Sequence, residues 1–422
     1  MLTKETHVVY YYALMLILIA PVFIDFFNGV VYYQLNADFS LGVLFRSVTA
    51  MITAYFMFFI KEKTYQIYLF TIILLFISFN PVWAGLGLDY KPHAEIIRYV
   101  RILLPHFLLC FFLYVNSKYK LDIVQLMRWQ AIFAFLGSLA IIFSFFTGIG
   151  TETYDDRESY GMSSFFIAHN DMGLAMLLSF PMCFYVFLRE VNLKWFVMTF
   201  SIFAALMMMA TRTALMGATG VLLLYLGCML VYNVREVKIK VQWRVLMLFF
   251  TVVIVGIGAY AYALYILQYP YLIRKFVLLF EEGPRSILME AATHRLSQRA
   301  LPLSLFGEGA ISFSQSIADF FLPDMSGKDA VKAVEQDLMD MWGVYGWILG
   351  SLILLWPLAL CFKQAWTFLI NNSLMNLTFL VVIVLFTIHS YTAGHALGSS
   401  IVSTSILLTY FYILKRKDFM NA

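Results

Sequence analysis

Apolar runs of about 20 residues, the length needed to cross a hydrocarbon core, recur along this chain from Tyr10 to Leu414. That recurrence constrains the fold more than any motif does. Backbone polar groups inside a bilayer must be satisfied within the chain, so repeated apolar runs of this length specify a bundle of helices. Of the 422 residues, 62% are hydrophobic and 13% charged, against about 25% charged in a soluble domain. The expectation is an all-α, polytopic integral membrane protein forming one domain over residues 1–422.

Twelve spans are expected, centred near 8–30, 39–60, 65–87, 97–116, 126–147, 170–188, 195–210, 213–232, 245–267, 343–362, 375–393 and 397–414. Their loops carry charge asymmetrically. Lys61, Lys63, Lys118, Lys120, Arg189, Lys194, Arg235, Lys238, Lys240, Arg244, Lys363, Lys415, Arg416 and Lys417 fall in alternate loops or the tail. The short opposite loops hold only Lys91, Arg157 and Arg212. By the positive-inside rule both termini are cytoplasmic. The net charge of +4 then reports topology, and no nucleic-acid partner is expected. Cys110, Cys183, Cys228 and Cys361 all sit in apolar runs without a metal or redox spacing.

The segment 268–342, between the ninth and tenth spans, lies outside by the same parity. It holds seventeen charged residues, and a loop of this length is expected to fold as an extracytoplasmic cap.

Four polar segments fall on that side. The first, 151–171, carries Arg157 among acidic residues and then His169-Asn170-Asp171 at the opening of a span, where Asn170 or Asp171 can cap the helix and its amides favour anions. In the second, Arg212 interrupts a long apolar stretch. Such an arginine either snorkels from a helix end or marks a function.

The third segment starts at Gly283-Pro284 as a helix expected to run to Ala300. At 100° per residue, Arg285, Arg295 and Arg299 fall in one arc that also holds Leu288, Ala292 and Leu296. Cations on an apolar face ask for a bound anion, such as a diphosphate gripped by guanidinium forks, or for acidic partners from the same loop.

The fourth segment, 334–346, carries Glu335 near Leu338, Met339 and Trp342 if helical, with Asp337 and Asp340 on the other side. A carboxylate at a partly dry surface suits a general base; helix-start carboxylates are also stabilised by the dipole alone. His389 and His395 flank the last outside turn. Metalloprotease, P-loop, nucleophile-elbow and CxxC signatures are all missing from the sequence, and no metal site is expected.

Taken in order, Arg157-Glu158-Ser159-Tyr160-Gly161 with His169-Asn170-Asp171, Thr211-Arg212-Thr213-Ala214, Arg285 to Gly309, and Glu335-Gln336-Asp337 with Gly343-Val344-Tyr345-Gly346 resemble the bacterial O-antigen ligase and polysaccharide polymerase superfamily. The likeness runs from Arg157 to the last span. It implies transfer of a glycan from a polyprenyl (undecaprenyl) diphosphate carrier to an acceptor hydroxyl, outside the bacterial cytoplasmic membrane and without a cofactor.

On that reading Arg212, Arg285, Arg295 and Arg299 hold the diphosphate, and Glu335 or Asp337 takes the acceptor's proton. Arg157, His169, Asn170, His389 and His395 are candidates for contact with glycan or lipid. A flippase and a chain-length regulator are the implied protein partners. Ligases of the family commonly carry a histidine where this chain has Glu335-Gln336-Asp337, which favours a polymerase. The rivals are a ligase and a lipid-linked glycan transporter; the latter predicts an inverted repeat, and none is visible here.

Overall fold

The structure, a computed structural model, describes residues 4–35, 40–86, 90–153, 161–231, 256, 284–321 and 334–420. Eight helices among them are long and apolar enough to cross a membrane. They comprise α1 (Lys4–Leu35), α2 (Leu41–Tyr55, extended by a 3-10 turn to Phe58), α3 (Lys63–Gly85), α4 (Pro92–Tyr119), α5 (Ile123–Thr147), α6 (His169–Glu190), α12 (Asp337–Ile370) and α13 (Leu374–Thr392). Among the described residues the protein is all-α apart from one short two-stranded pairing, and this architecture fits a polytopic membrane protein.

The expected count of twelve spans is not confirmed among the described residues. α7 (Leu193–Met209) and α8 (Arg212–Val231) cover two of them with shorter apolar stretches. α14 (Ser400–Met420) covers the last but turns polar at Lys415-Arg416-Lys417-Asp418. The span expected over 245–267 lies outside the described residues, apart from Gly256.

Burial sorts these helices by position. α6 is buried along most of its length and packs against α5, α7, α13 and α14, with α14 also against α4. α1, α2 and α3 stay largely exposed, and the residues they expose are apolar, such as Met51, Ile67 and Leu74. An exposed surface of that composition suits lipid, not water.

Polar contacts inside the bundle lock neighbouring helices. Pro357 removes the amide that would bond the Ile353 carbonyl in α12, and the Tyr68 and Tyr391 hydroxyls donate to the carbonyls on either side of it, Leu352 and Leu354. Deeper in, the Gln130 amide donates to Ser179 and Ser405, each at 2.9 Å, tying α5 to α6 and α14.

The two ends of the bundle are fixed by different contacts. At one end Lys415 pairs with Glu62, Arg128 with Glu190 at 2.6 Å, and the Asn116 amide donates to Asp418. Of the lysine-rich loops expected on one side, those near 61–63, 118–120, 189–194 and 415–417 therefore share an end, while 235–244 lies outside the described residues. The opposite end gathers the polar segments. There β1 (Thr151–Glu152) pairs antiparallel with β2 (Met162–Ser164), an element absent from the all-helical expectation.

At this second end the described parts of 268–342 form α9 (Pro284–Ser297), α10 (Leu301–Phe306) and α11 (Ala310–Phe321), all packed on α12, with α11 also on α4. α9 stops at Ser297, short of the expected Ala300, and Pro302 enters α10 near its first turn. Arg299 thus lies between two helices, not in a continuous arc with Arg295.

Candidate functional site

The long loop anchors to α12 through a break in that helix. Gly346 has φ 69° and ψ −179°, a conformation open in practice only to glycine, and it leaves the carbonyls before it without their usual amides. The Glu308 and Gly309 amides donate to the Gly343 and Val344 carbonyls at 3.2 and 3.0 Å, and Arg299 donates Nη1 to Trp342 and Nη2 to Gly343 at 3.1 and 2.8 Å. The Gly-Glu-Gly turn and the Gly343–Gly346 segment are two halves of one joint.

Glu308 completes the joint. Its side chain is 0% exposed, and its Oε1 accepts from Arg299 Nε at 2.7 Å and lies 3.0 Å from Arg295 Nε. Burial pulls the Arg299 guanidinium below its usual pKa, and Glu308 opposes that shift. The expectation that Arg299 holds a diphosphate is corrected here: its side chain is 1% exposed, and each of its three nitrogens already has a partner within the joint. Arg295 keeps 37% exposure. Arg212 and Arg285 open α8 and α9, but their side chains lie outside the described residues, as does all of Arg157.

The expected base positions change as well. Glu335 precedes the helix, at φ 64°, with Gln336 as N-cap, so it does not share a helical face with Leu338 and Trp342. Its backbone abuts Gly394, where an added Cβ would meet the Glu335 carbonyl at 2.4 Å. Asp337 and Asp340, expected on a polar side, are each 3% exposed. Asp337 accepts from Ser390 Oγ at 2.8 Å and the Leu397 amide at 3.0 Å, while Asp340 faces Arg98 at 3.6 Å. Asp337 is a clasp on the turn that carries His395, which explains its burial without a proton-transfer role.

The turn in question, 393–399, brings the last span against α6. His395 lies in the electrostatic field of both Asp337 and Asp171. His389 approaches Thr213 on α8 at 3.4 Å. His169 is the first residue of α6, and its N-cap is Ala168, not Asn170 or Asp171. Asn170 points to the exterior. Asp171 bonds Ser399 instead of capping, so the carboxylate joins α6 to the turn.

Beside Asp171 opens a pocket of about 590 Å³ between α1, α2, α4, the start of α6 and the start of α14. Its charged lining consists of Asp25, Arg46, Arg101 and Asp171, with the Asn28 side-chain oxygen Oδ1 buried and unpartnered among the described residues. Gly29 makes the α1 wall possible: a Cβ there would sit 1.5 Å from the Phe165 carbonyl oxygen. Arg46 and Asp25 are paired. Arg101 lies nine residues into α4, roughly 13 Å along its axis, and has no hydrogen-bond or ion-pair partner among the described residues.

The remaining lining is apolar, including Val100, Leu104 and Phe107, and its rim residues Val43, Met51, Ile96 and Ile97 are exposed. An interior of mixed charge, with two guanidinium groups and two carboxylates, behind an apolar, exposed rim is amphipathic, and its guanidinium groups suit an anionic group carried on an apolar chain.

Asp25, Arg46, Arg98 and Arg101 were not among the sequence-based candidates, although ionisable residues inside apolar runs carry a direct signal. Glu95, Arg98 and Arg101 recur every three residues on α4. Glu95 Oε1 accepts from the Ala310 amide at 2.6 Å and so seats α11, Arg98 meets α12, and Arg101 faces the pocket. One helix edge thus touches the cap helices, the broken helix and the pocket in turn. No protein-family model and no curated protein matches this chain, so its function is argued from this geometry.

Proposed function

We propose that the chain is a membrane polysaccharide polymerase that takes glycan repeat units from a polyprenyl diphosphate carrier at the extracytoplasmic face of the bacterial cytoplasmic membrane, with both termini in the cytoplasm. The observation that carries this reading is Arg101, an arginine without a described partner, set inside an apolar helix and facing an amphipathic pocket. Arg101 is exposed on the pocket side of that helix, and a guanidinium set among apolar residues without an ion-pair partner attracts an anion carried by the bilayer.

As the glycosidic bond to the diphosphate breaks, negative charge accumulates on the leaving oxygen, and Arg101 with Arg46 stabilises it. Arg212, Arg285 and Arg295, grouped by the resemblance, remain proposed contributors from the same end. The acceptor hydroxyl attacks the anomeric carbon and gives up its proton. Asp171, which lines the pocket within electrostatic reach of His169, His395 and Arg101, is the carboxylate proposed to take it. The cap helices would hold the sugars, and a flippase and chain-length regulator would act beside the enzyme.

The test is polymer length in cells that carry Arg101→Ala or Asp171→Asn at native protein levels. Loss of long polymer in both is expected; unchanged polymer in both sinks the proposal. Purified protein supplied with a polyprenyl diphosphate glycan should release polyprenyl diphosphate. The product then separates a polymerase from a ligase, and absence of release favours a transporter.

A further inference from the structure

The Asp25–Arg46 pair has an unusual division of contacts. A single guanidinium nitrogen, Nη2, reaches both carboxylate oxygens of Asp25 at 2.5 Å. Nη1 and Nε of Arg46 have no partner among the described residues, and both side chains line the pocket, at 24% and 15% exposure. Gly42, one turn before Arg46, makes room for the guanidinium: a Cβ there would lie 3.0 Å from Nη1 and 3.3 Å from Asp25 Oδ1. Asp25 therefore holds Arg46 by one corner, and the rest of the fork is available to a second anion.

An arginine left alone in an apolar wall would carry a large desolvation cost whenever the pocket is empty. Asp25 removes that cost in the empty state. When an anionic headgroup enters, the carboxylate becomes a like charge beside it and weakens its hold.

We propose that Asp25 is a resident counter-ion that holds Arg46 in the empty pocket and yields it to the incoming diphosphate, so that Asp25 limits how tightly the lipid diphosphate is retained. This rests on the reading of the pocket as a diphosphate site. Its consequence for a polymerase is release: the spent carrier must leave after each transfer, and a carboxylate that reclaims Arg46 speeds departure.

The experiment measures equilibrium binding of farnesyl diphosphate to the full chain in nanodiscs of neutral phospholipid. Asp25→Asn should bind about five- to tenfold more tightly than the native protein, with slower dissociation, and Arg46→Gln more weakly. In the double variant the tightening from Asp25→Asn should disappear, since it acts through Arg46. Asp25→Glu, which keeps the charge, should bind without tightening, and Asp25→Ser gives the same test should the Asn variant not fold.

Native protein that binds while Asp25→Asn binds no more tightly overturns this inference alone, as does tightening that persists in the Arg46→Gln background. No binding by the native chain, or binding indifferent to Arg101→Ala, overturns the pocket reading beneath it. Inorganic diphosphate and phosphatidate-bearing nanodiscs serve as competitors. Equal competition by phosphatidate assigns the site to phospholipid headgroups and overturns the diphosphate assignment.

Discussion

Arg299 and Arg101 occupy the same end of the bundle, yet their surroundings differ in the quantity that decides an arginine's role. Arg299 has a buried carboxylate and two backbone carbonyls released by the break at Gly346. Arg101 has a pocket and no partner among the described residues. One guanidinium completes the fold, and the other is the one proposed to meet an anion. Arginine density in the long loop pointed toward Arg299 as the ligand contact, but density does not report whether a cation is already neutralised. A carboxylate nine residues along the chain, and carbonyls some forty residues away, settle that for Arg299.

The contrast breaks most readily at Glu308. Glu308→Ala leaves two guanidinium groups facing a buried space without a counter-ion, and a loss of about 3–5 kcal/mol in stability is expected. Thermal unfolding in detergent, with limited proteolysis of 284–321, reads it; a native melting profile would mean the joint is not structural. Gly346→Ala is expected to cost about 1–3 kcal/mol, because it forces alanine into a glycine-only conformation. Its Cβ would also meet the Leu305 carbonyl at 2.4 Å. The same melt, together with release of α10 from α12, checks it.

Arg101→Ala should show the opposite pattern. Stability is expected to stay within about 0.5 kcal/mol of native, since no described contact is removed. Farnesyl diphosphate binding should weaken at least tenfold, equivalent to about 1.4 kcal/mol. A variant that loses stability as Glu308→Ala does while its folded form keeps native ligand affinity would erase the distinction between the two arginines. The smallest effect is expected at the other end of the bundle, where Arg128→Ala removes a partly exposed pair with Glu190. About 0.2–1 kcal/mol should be lost there, less at high salt; a loss near that of Glu308→Ala would show that exposure does not separate these pairs.

The site was legible in the sequence to an uneven degree. The loops bearing His169, Thr211–Thr213 and Glu335–Asp337 were recognisable by their polarity, and the structure brings them to one end with His389 and His395. Alternation of spans suffices for that grouping, because each crossing returns the chain to the other side. The detailed roles were less legible. Asp337 reads as a helix-start carboxylate of the kind that suits a base, and it became a clasp because Ser390 and the Leu397 amide, far along the chain, converge on it. Asp25, Arg46 and Arg101 were visible as charges in apolar runs, but their pairing needs three helices to be placed side by side.

By itself the sequence determined that this protein is a helical bundle and that the described lysine-rich loops share one end, because run length and charge are local properties that a bilayer reads directly. Only the tertiary structure decided which cations are neutralised. Whether an arginine is a strut or a binding group depends on the carboxylates and free carbonyls within a few ångströms of it, and at Arg299, Arg46 and Arg101 those neighbours come from segments that the chain order keeps apart.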